Sequence, residues 1–253
     1  MERITKYPRT AHLKGSKMQR GDGDLNKIDF SLIVGKNIVI EEKVDGANTG
    51  ISFSASGELL LQSRGHYLIG GYSERHYDLF KKWAYNTVNE LFEVLGDRYI
   101  MYGEWLYAKH KIYYDSLPNY FLEFDIYDKK EGVFLSTERR KELLKNSPVV
   151  SVPVLGEGVY KNKEEILKLL GKSLFAGKNA KDNLLTTVKG LNLNQEKILK
   201  ESDCSGLAEG LYIKVEEDGV VKQRVKFVRD TYVQPQTETG RWVDKPIIPN
   251  KLK

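Results

Sequence analysis

The chain has 253 residues, 40% hydrophobic and 11% aromatic, with 40 Lys and Arg against 35 Asp and Glu. This length allows one large domain or two small ones, and the apolar content excludes a disordered chain. The one cysteine, Cys204, excludes an internal disulfide and a cysteine-rich zinc site, and the four histidines have no metal-binding spacing. No apolar run approaches the ~20 residues of a membrane span, and the N-terminal residues contain no signal-peptide core. We therefore expect a cytoplasmic, non-secreted protein.

The charge is uneven along the chain. Basic residues exceed acidic ones in residues 1–29 and again in residues 219–253, whereas the middle of the chain is slightly acidic. Basic ends fit a polyanionic partner such as nucleic acid, and they fit equally well with charge that only keeps the protein soluble.

Alternating and β-branched residues predict five strands in the first half of the chain, at residues 37–41, 49–54, 59–62, 98–107 and 120–127. Between the third and the fourth of these strands, apolar residues recur at three- and four-residue spacing. This pattern predicts a helix over residues 74–95, which Gly96 ends.

The second half of the chain begins with a stretch that is mostly helical in pattern, about residues 136–201. Ser136 and Asn162 are its candidate N-caps. Strands are predicted again at 210–215 and 220–228, joined by a turn at 217–219, and residues 230–253 form an irregular basic tail. We expect an α+β fold of antiparallel sheets with a helical insertion at about 136–201. The whole chain, 1–253, is interpreted as one domain.

The segment Glu42-Lys43-Val44-Asp45-Gly46 places a lysine at a predicted strand end, followed by a tight turn. By itself this pattern also fits an ordinary charged turn. Further short motifs follow in the chain. They are Ser63-Arg64-Gly65, Tyr102-Gly103-Glu104-Trp105, Phe124-Asp125-Ile126-Tyr127, Glu209-Gly210-Leu211-Tyr212-Ile213-Lys214 and Arg224-Val225-Lys226-Phe227-Val228-Arg229.

In this order the motifs resemble those of the covalent nucleotidyltransferases, the superfamily of DNA ligases, RNA ligases and mRNA capping enzymes. The context Glu42–Asn48 and the long insertion before Glu209 look most like the RNA ligase 2-like branch of ATP-dependent RNA ligases. The resemblance covers about residues 37–229. It implies the ligase adenylation fold, in which antiparallel sheets flank a nucleotide pocket, with ATP as donor of AMP and Mg²⁺ or Mn²⁺ as metal.

A lysine that attacks phosphorus must be deprotonated, and only about one amine in 2,500 is neutral at pH 7 at the ordinary pKa of about 10.4. Neighbouring cations lower such a pKa, and Lys214, Lys226 or a bound metal are the candidates here. Mg²⁺ keeps most of its waters and needs only one or two carboxylates. The resemblance implies that Glu209 is its ligand.

The resemblance implies the remaining roles. The catalytic residues are Lys43, Asp45 and Lys226, with Asp45 organising the ligation steps. Arg64 holds a ribose or phosphate oxygen, Asn48 contacts phosphate, Glu104 lies near the ribose, and Phe124 stacks on adenine. The full nucleotide-binding set is Glu42, Lys43, Asn48, Arg64, Glu104, Phe124, Lys214 and Lys226.

Structural roles remain open for several of these residues. Phe124 fits an ordinary core position, and Glu104 and Asp125 fit salt-bridge partners at strand ends. Arg229 fits surface charge or a ligand, and Arg224 has no assigned role. The segment His12–Ser16 is either a phosphate-contacting loop or a plain turn.

We expect an ATP-dependent polynucleotide ligase, acting on RNA in a repair reaction, that joins 5′-phosphate and 3′-hydroxyl ends through lysyl–AMP. The alternatives are a GTP-dependent guanylyltransferase and a non-catalytic module that binds nucleic-acid ends. Only 24 residues follow Arg229, so no OB domain is expected, which disfavours the capping reaction. Arg241, Lys245, Lys251 and Lys253 of the tail are expected to be free to follow a polynucleotide backbone.

Overall fold

The computed structural model describes residues 3–18, 22–232 and 242–253. The strands of these ranges are, in chain order, β1 (Ala11–Leu13), β2 (Lys27–Ile28), β3 (Asn37–Lys43), β4 (Ala47–Phe53), β5 (Leu59–Ser63), β6 (Tyr99–Trp105), β7 (Phe121–Asp128), β8 (Val133–Phe134), β9 (Val150–Ser151), β10 (Val154–Val159), β11 (Gly210–Glu217) and β12 (Val220–Val228). The helices are α1 (Asp78–Asn86), α2 (Val88–Leu95), α3 (Thr137–Leu144), α4 (Lys163–Leu167), α5 (Ala180–Gly190) and α6 (Gln195–Lys200).

The strands form two sheets, which confirms a mixed α+β fold. The first sheet has the order β10-β3-β11-β12-β1-β2, and the second has the order β5-β4-β6-β7-β8 with β9 beside β7. In the first sheet, β3 and β11 alternate apolar residues on one face, so Ile38, Ile40, Leu211 and Ile213 are all fully buried in one core cluster. The second sheet packs its apolar face against α1 and α2.

The helix expected over residues 74–95 is interrupted. Residues Tyr72–Tyr77 form a 3-10 helix, and α1 and α2 are separated at Thr87. The Thr87 hydroxyl donates to the Trp83 carbonyl at 2.9 Å, and Thr87 has the non-helical angles φ −114° and ψ 21°. A β-branched residue that bonds back to the preceding turn ends α1 here, which the apolar spacing alone does not reveal.

The stretch 136–201 contains strands as well as helices. Ser136 and Asn162 do cap α3 and α4, because their side chains accept from the backbone N–H of Arg139 and Glu165. Strand β10 pairs antiparallel with β3, and β9 pairs parallel with β7. The insertion is therefore part of both sheets, and β10 lies next to the strand that ends at Lys43.

A cluster of buried charges joins the two sheets. Arg140 of α3 donates to Glu41 of β3 at 2.5 Å and to Glu123 of β7 at 2.7 Å. Lys214 of β11 pairs with Glu41 at 2.8 Å and with Asp125 of β7 at 3.1 Å. Buried charges are tolerated only when they are paired, so these contacts fix the two sheets relative to each other.

The C-terminal residues 242–253 are irregular apart from a 3-10 helix at Trp242–Asp244, but they are docked on the body. The Asn250 side chain donates to the Leu106 carbonyl at 2.6 Å and accepts from the Tyr114 N–H at 2.9 Å. Lys251 and Lys253 keep exposed side chains, while their backbone N–H groups bond to Tyr114 and Leu117. The expectation of a free tail is therefore wrong for residues 242–253, and Arg241 lies outside the described residues. Among the described helices, none has the length and apolarity that a membrane crossing requires.

Candidate active site

A large cavity of about 1730 Å³ opens between the two sheets. It brings together nine of the residues that the sequence singled out: Glu42, Lys43, Asp45, Asn48, Arg64, Glu104, Phe124, Glu209 and Lys226. Asn48 is partly buried on β4, and Arg64 is exposed at the rim, beyond the end of β5. Lys214 is the member of the predicted set that does not line the cavity.

Lys43 is the last residue of β3, and the turn after it is very tight. A methyl group at Gly46 would lie 2.6 Å from the Trp105 carbonyl oxygen, so a side chain there would displace β6. Lys43 Nζ donates to Glu209 Oε2 at 2.6 Å. Burial alone would lower the pKa of Lys43, but the charges of Glu209, Glu104 and Asp45 outweigh it and raise that pKa. The expectation that neighbouring cations lower the pKa of Lys43 is therefore wrong for the unliganded protein.

Glu104 lies on β6 beside the turn that follows Lys43 and accepts from the Gly46 N–H at 3.1 Å. Burial, together with the charges of Glu209 and Asp45, raises the pKa of Glu104 to about 8, although Lys43 opposes the shift. A large fraction of this carboxyl group is therefore protonated at neutral pH. No salt bridge of Glu104 occurs within the described residues, which leaves its second oxygen available to a ligand in the cavity.

Asp45 holds a neighbouring loop in place. Its Oδ2 accepts from the backbone N–H groups of Lys111 and Ile112 at 2.7 and 2.8 Å, and its own N–H donates to the Tyr114 hydroxyl at 2.8 Å. This pairing fixes residues 109–114 beside the turn that carries Lys43. The Asp of the motif thus supports the site through the backbone of that loop.

Glu42 also has a structural side chain. Its carboxylate accepts from the Ser173 hydroxyl at 2.6 Å and from the Leu174 N–H at 3.0 Å. Burial raises the pKa of Glu42 above its usual value even though both hydrogen bonds lower it. Glu42 therefore ties the segment after α4 to β3 while also lining the cavity.

Phe124 is aimed into the cavity by a β-bulge. Tyr102 pairs with Asp125 and the next residue, Gly103, pairs with Glu123, so Phe124 is the extra residue of β7. Bulges re-aim side chains in this way beside active sites. The Phe124 ring meets Tyr7 edge-on with centroids 5.1 Å apart and remains partly exposed on the cavity side.

Lys226 is held by residues of the N-terminal segment. Its Nζ donates to Asp22 Oδ2 at 2.5 Å, and the His12 ring contacts the same oxygen through Nε2 at 3.0 Å. His12 Nδ1 lies 2.7 Å from Ser16 Oγ, which itself accepts from the Val228 N–H at 2.8 Å. Burial lowers the pKa of Lys226, with the nearby charge of Lys43 contributing, although the bond to Asp22 opposes it. His12 and Ser16 are therefore buried supports for Lys226, and Lys14 and Gly15 between them form an exposed turn.

Three other basic residues lie away from the cavity surface. Lys214 donates to the Phe124 carbonyl and belongs to the buried ion cluster. Arg224 lies with its guanidinium 3.8 Å from the Phe134 ring centre and 3.6 Å from Asp125. Arg229 is buried and bonds to Asp203 at 2.6 Å, so it is neither surface charge nor a cavity residue.

Several cavity residues carry no motif in the sequence. They are Tyr7, Thr10, Asp22, Lys109, His110, Tyr232 and Trp242. Most come from the two ends of the chain, where no periodic pattern marks them, and their contacts span large sequence distances. The Tyr7 hydroxyl, for example, contacts Tyr212 at 2.5 Å across 205 positions.

The carboxylates fit a metal that relies mainly on non-protein ligands. In the described ranges, no group of three or more metal-ligating side chains converges. Glu209 is buried, and its carboxylate pairs with Lys43 at 2.6 Å. A single carboxylate together with phosphate oxygens and waters is a common arrangement for Mg²⁺.

The family model described as RNA ligase matches residues 36–228. A comparison with the curated proteins finds no similar sequence. Among solved structures, a variant of the Naegleria gruberi RNA ligase with ATP and Mn superposes with a TM-score of 0.51 at 18% identity, covering 80% of this chain and 52% of that one. The same ligase with PPi gives a TM-score of 0.51 at 16% identity, covering 90% and 57%. This chain thus spans little more than half the length of those proteins, and the likeness shows a shared fold. The match of the family model over most of the chain shows that this protein belongs to the RNA ligase family.

Proposed function

We propose that this protein is an ATP-dependent RNA ligase that joins a 5′-phosphate end to a 3′-hydroxyl end. The observation that carries the proposal is the position of Lys43, whose amine lies in the cavity between the sheets and pairs with Glu209. The family membership and the shared fold support it. On the same grounds we propose that the fold is the nucleotidyltransferase fold and that residues 1–253 form one catalytic domain with its insertion.

The reaction has three steps. In the first, the Lys43 nitrogen bonds to the α-phosphorus of ATP, the bond to the bridging oxygen breaks, and pyrophosphate leaves as Lys43 gives up a proton. In the second, an oxygen of the RNA 5′-phosphate bonds to the same phosphorus, and Lys43 leaves and takes a proton back. In the third, the RNA 3′-hydroxyl oxygen bonds to the 5′-phosphorus, and AMP leaves with its electron pair while the hydroxyl proton is released.

Because the pKa of Lys43 is raised, the amine must lose its proton before it can attack ATP in the first step. Glu209 stabilises the protonated amine, so this carboxylate needs another partner when ATP is bound. A divalent cation at Glu209 would supply that partner and would also neutralise phosphate charge. Lys226 lies in the same cavity, and its positive charge favours loss of the proton from Lys43.

The other cavity residues have roles that suit their positions. Phe124 presents a ring face for adenine, and Glu104 accepts or donates hydrogen bonds at the ribose. Arg64 and Asn48, at the opening of the cavity, bind phosphate or ribose oxygens. Asp45 keeps the loop 109–114 next to the reacting lysine. Lys214 acts from beneath the pocket, by holding the Phe124 carbonyl.

Covalent labelling tests the proposal. Protein incubated with α-labelled ATP and Mg²⁺ should carry label through denaturing electrophoresis, and acid should remove it because the P–N bond is acid-labile. Lys43→Ala should abolish labelling, whereas Lys82→Ala, which removes an exposed lysine of α1, should label as the wild type does. Labelling from GTP alone would indicate a guanylyltransferase, and no labelling from either nucleotide would indicate a binding module.

Metal dependence tests the role of Glu209. Glu209→Ala should reduce adenylylation and shift the Mg²⁺ titration to higher concentration, because the metal loses a ligand. Glu104→Ala should impair nucleotide use with a smaller change in the Mg²⁺ midpoint. Superimposable Mg²⁺ titrations of wild type and Glu209→Ala would refute the metal assignment.

A further inference from the structure

The cavity extends beyond Asp45 to a part that the adenylylation chemistry described above does not use. Its wall there consists of residues 109–111, the end of α6 and the docked C-terminal segment from Trp242 to Ile248. Near Lys43 the cavity is dominated by the carboxylates of Glu209, Glu104 and Asp45. Beyond Asp45 the wall carries more basic than acidic residues. The lysines are Lys109, Lys111, Lys197, Lys200 and Lys245, and the acidic residues are Glu196, Glu201 and Asp244.

Lys109 has no acidic partner in the described part of the chain. Its Nζ donates to the carbonyl of the adjacent His110 at 3.0 Å, and no carboxylate there forms an ion pair with it. Burial lowers the pKa of Lys109 to about 8, with Lys111 adding to the effect and Asp45 opposing it. A partly buried ammonium without a counter-charge is unfavourable unless an anion joins it.

His110, beside Lys109, has an unused hydrogen-bonding atom. Its Nε2 is buried and has no hydrogen-bond partner among the described residues, although the ring lines the cavity. Burial lowers the pKa of His110 to about 4, so the ring is neutral and can donate from one nitrogen. Buried polar atoms without partners are rare in folded proteins and call for a ligand or a water.

The loop that carries these two residues is fixed on both sides. Asp45 accepts from Lys111 and Ile112 at 2.7 and 2.8 Å, and the Lys109 N–H donates to the Ile248 carbonyl at 2.8 Å. The His110 ring packs on Trp242 with centroids 4.3 Å apart. The positions of Lys109 and His110 relative to Lys43 are therefore set before any ligand binds.

We propose that Lys109 and His110 form a second phosphate-binding site at this end of the cavity. The inference rests on the proposed ligase function and adds a binding site to it. Two phosphates of that reaction share the required chemistry: the pyrophosphate that leaves in the first step, and the 5′-phosphate of RNA that enters in the second. Both must lie next to the α-phosphorus on Lys43, and both need positive charge and a donor.

The test uses Lys109→Met, which keeps the aliphatic stem and removes the charge, with Lys82→Ala as the control for loss of one exposed lysine. Each protein is adenylylated with ATP and isolated. One arm titrates pyrophosphate and follows the return of AMP to ATP, and a second arm titrates 5′-phosphorylated RNA and follows AMP transfer. A third arm gives unmodified protein a pre-adenylylated RNA and follows joining, which needs neither free phosphate group.

For Lys109→Met we expect the half-saturating concentration to rise by about tenfold or more in the first or second arm, because a hydrogen bond to a charged group contributes at least that factor. A rise with pyrophosphate identifies the leaving-group site, and a rise with RNA identifies the 5′-phosphate site. If the site holds pyrophosphate, the third arm should stay within about twofold of wild type; if it holds the 5′-phosphate, the third arm should weaken together with the second while the first stays unchanged. His110→Ala should change the same arm in the same direction.

Two results would overturn the inference. One is no change in either titration relative to Lys82→Ala, and the other is a parallel loss in all three arms with a lower melting temperature, which indicates damage to the fold. A readout without activity is the rise in melting temperature on adding pyrophosphate to unlabelled protein, expected for wild type and absent in Lys109→Met. If the wild type takes no AMP from ATP, the proposed function fails, and this thermal shift still tests the anion site.

Discussion

Lys43, the nucleophile of the proposed reaction, is paired with the carboxylate of Glu209 at 2.6 Å in the unliganded protein. This pairing raises the pKa of Lys43 and so favours the protonated amine, which is not a nucleophile. The arrangement protects the amine from side reactions, and it makes the onset of reactivity depend on charge that the ligands bring. Substitutions of residues around Lys43 should therefore alter its reactivity mainly by changing the local charge, and less by changing the shape of the cavity.

The raised pKa of Glu104 can be tested through the pH dependence of protein stability. Its pKa rises to about 8 in the folded protein from 4.5, so folding takes up a proton between those pH values. The contribution of this carboxyl to stability is therefore present at low pH and lost as pH rises through that window. Glu104→Gln, which imitates the protonated form, should be more stable than wild type by about 1–3 kcal/mol at pH 8.5 and nearly equal at pH 5.

Urea unfolding of nucleotide-free protein at the two pH values measures this difference. Glu58→Gln, at an exposed position, should show no such pH dependence. If the stability difference between Glu104→Gln and wild type were the same at both pH values, the carboxyl would be ionised throughout the range.

Phe124 is tested by separating stacking from packing. Phe124→Leu keeps apolar volume and loses the ring face, so it should weaken ATP use by roughly tenfold or more, since stacking on an aromatic contributes about 1–3 kcal/mol per base. Its melting temperature should change little. The half-saturating ATP concentration for labelling is the measurement, with Phe92→Leu, a partly exposed ring of α2, as the control. Strong destabilisation with normal ATP use would assign Phe124 to the core.

Short motifs in the sequence single out Lys43, Glu104 and Glu209, and all three line the cavity. Lys214 and Arg224 show the limit. Lys214 lies two residues from the cavity residue Tyr212, and Arg224 two residues from Lys226, so each shares a strand face with a cavity residue. The sequence therefore predicts which face of the strand each side chain is on. It does not predict that the rings of Tyr7 and Phe134, which are distant in the chain, pack against Arg224 and separate it from the cavity.

At the scale of elements, the loop 109–114 and the C-terminal segment stabilise each other. Asn250→Ala removes the amide that serves Leu106 and Tyr114, leaving a buried carbonyl and a buried N–H without partners. We expect a loss of roughly 2–4 kcal/mol in the free energy of unfolding and reduced adenylylation, because the loop is also tied to Asp45. Lys253→Ala, three residues on and exposed, should be neutral in urea unfolding. Equal midpoints for the two variants would contradict the role of Asn250.

The strands predicted from alternation were confirmed for both sheets, whereas β10 was not foreseen. Strand β10 contains Gly156 and Gly158 and lies between helical patterns, so its local sequence has weak strand character. It becomes a strand because β3 offers an edge with which Gly156 to Val159 pair. This pairing depends on residues of β3 that are more than a hundred positions away in the chain, so the local sequence around β10 does not predict it.

For the whole molecule, the basic excess bears on how RNA is held. Lys251 and Lys253 are exposed on a segment whose neighbours Pro246 and Ile248 line the cavity, so RNA that leaves the cavity can pass them. Each phosphate neutralised adds about 0.7–0.9 to the slope of log affinity against log salt. The double variant Lys251→Ala with Lys253→Ala should flatten that slope by about 1–2 units and leave labelling by ATP unchanged.

Binding titrations of 5′-phosphorylated RNA at several salt concentrations give this slope. The pair Lys36→Ala with Lys82→Ala removes the same charge from exposed positions elsewhere and should leave the slope as it is. An unchanged slope in the tail variant would place the path of the RNA on another face.

The pairing of β1 with β12 has a consequence for the order of events during synthesis. Ser16 contacts Val228 across 212 positions, and Asp22 contacts Lys226 across 204. At the ~5–20 residues per second of translation, the first strand waits roughly 10–40 s for its partner to be made. Throughout that time β3 and its lysine lack the neighbours on β11 and β12 that complete the pocket. A ribosome-bound fragment that ends before β12 should therefore contain Lys43 without Lys226, the cation that Asp22 holds in the cavity. The proposed adenylylation should appear in one step once β12 has been made.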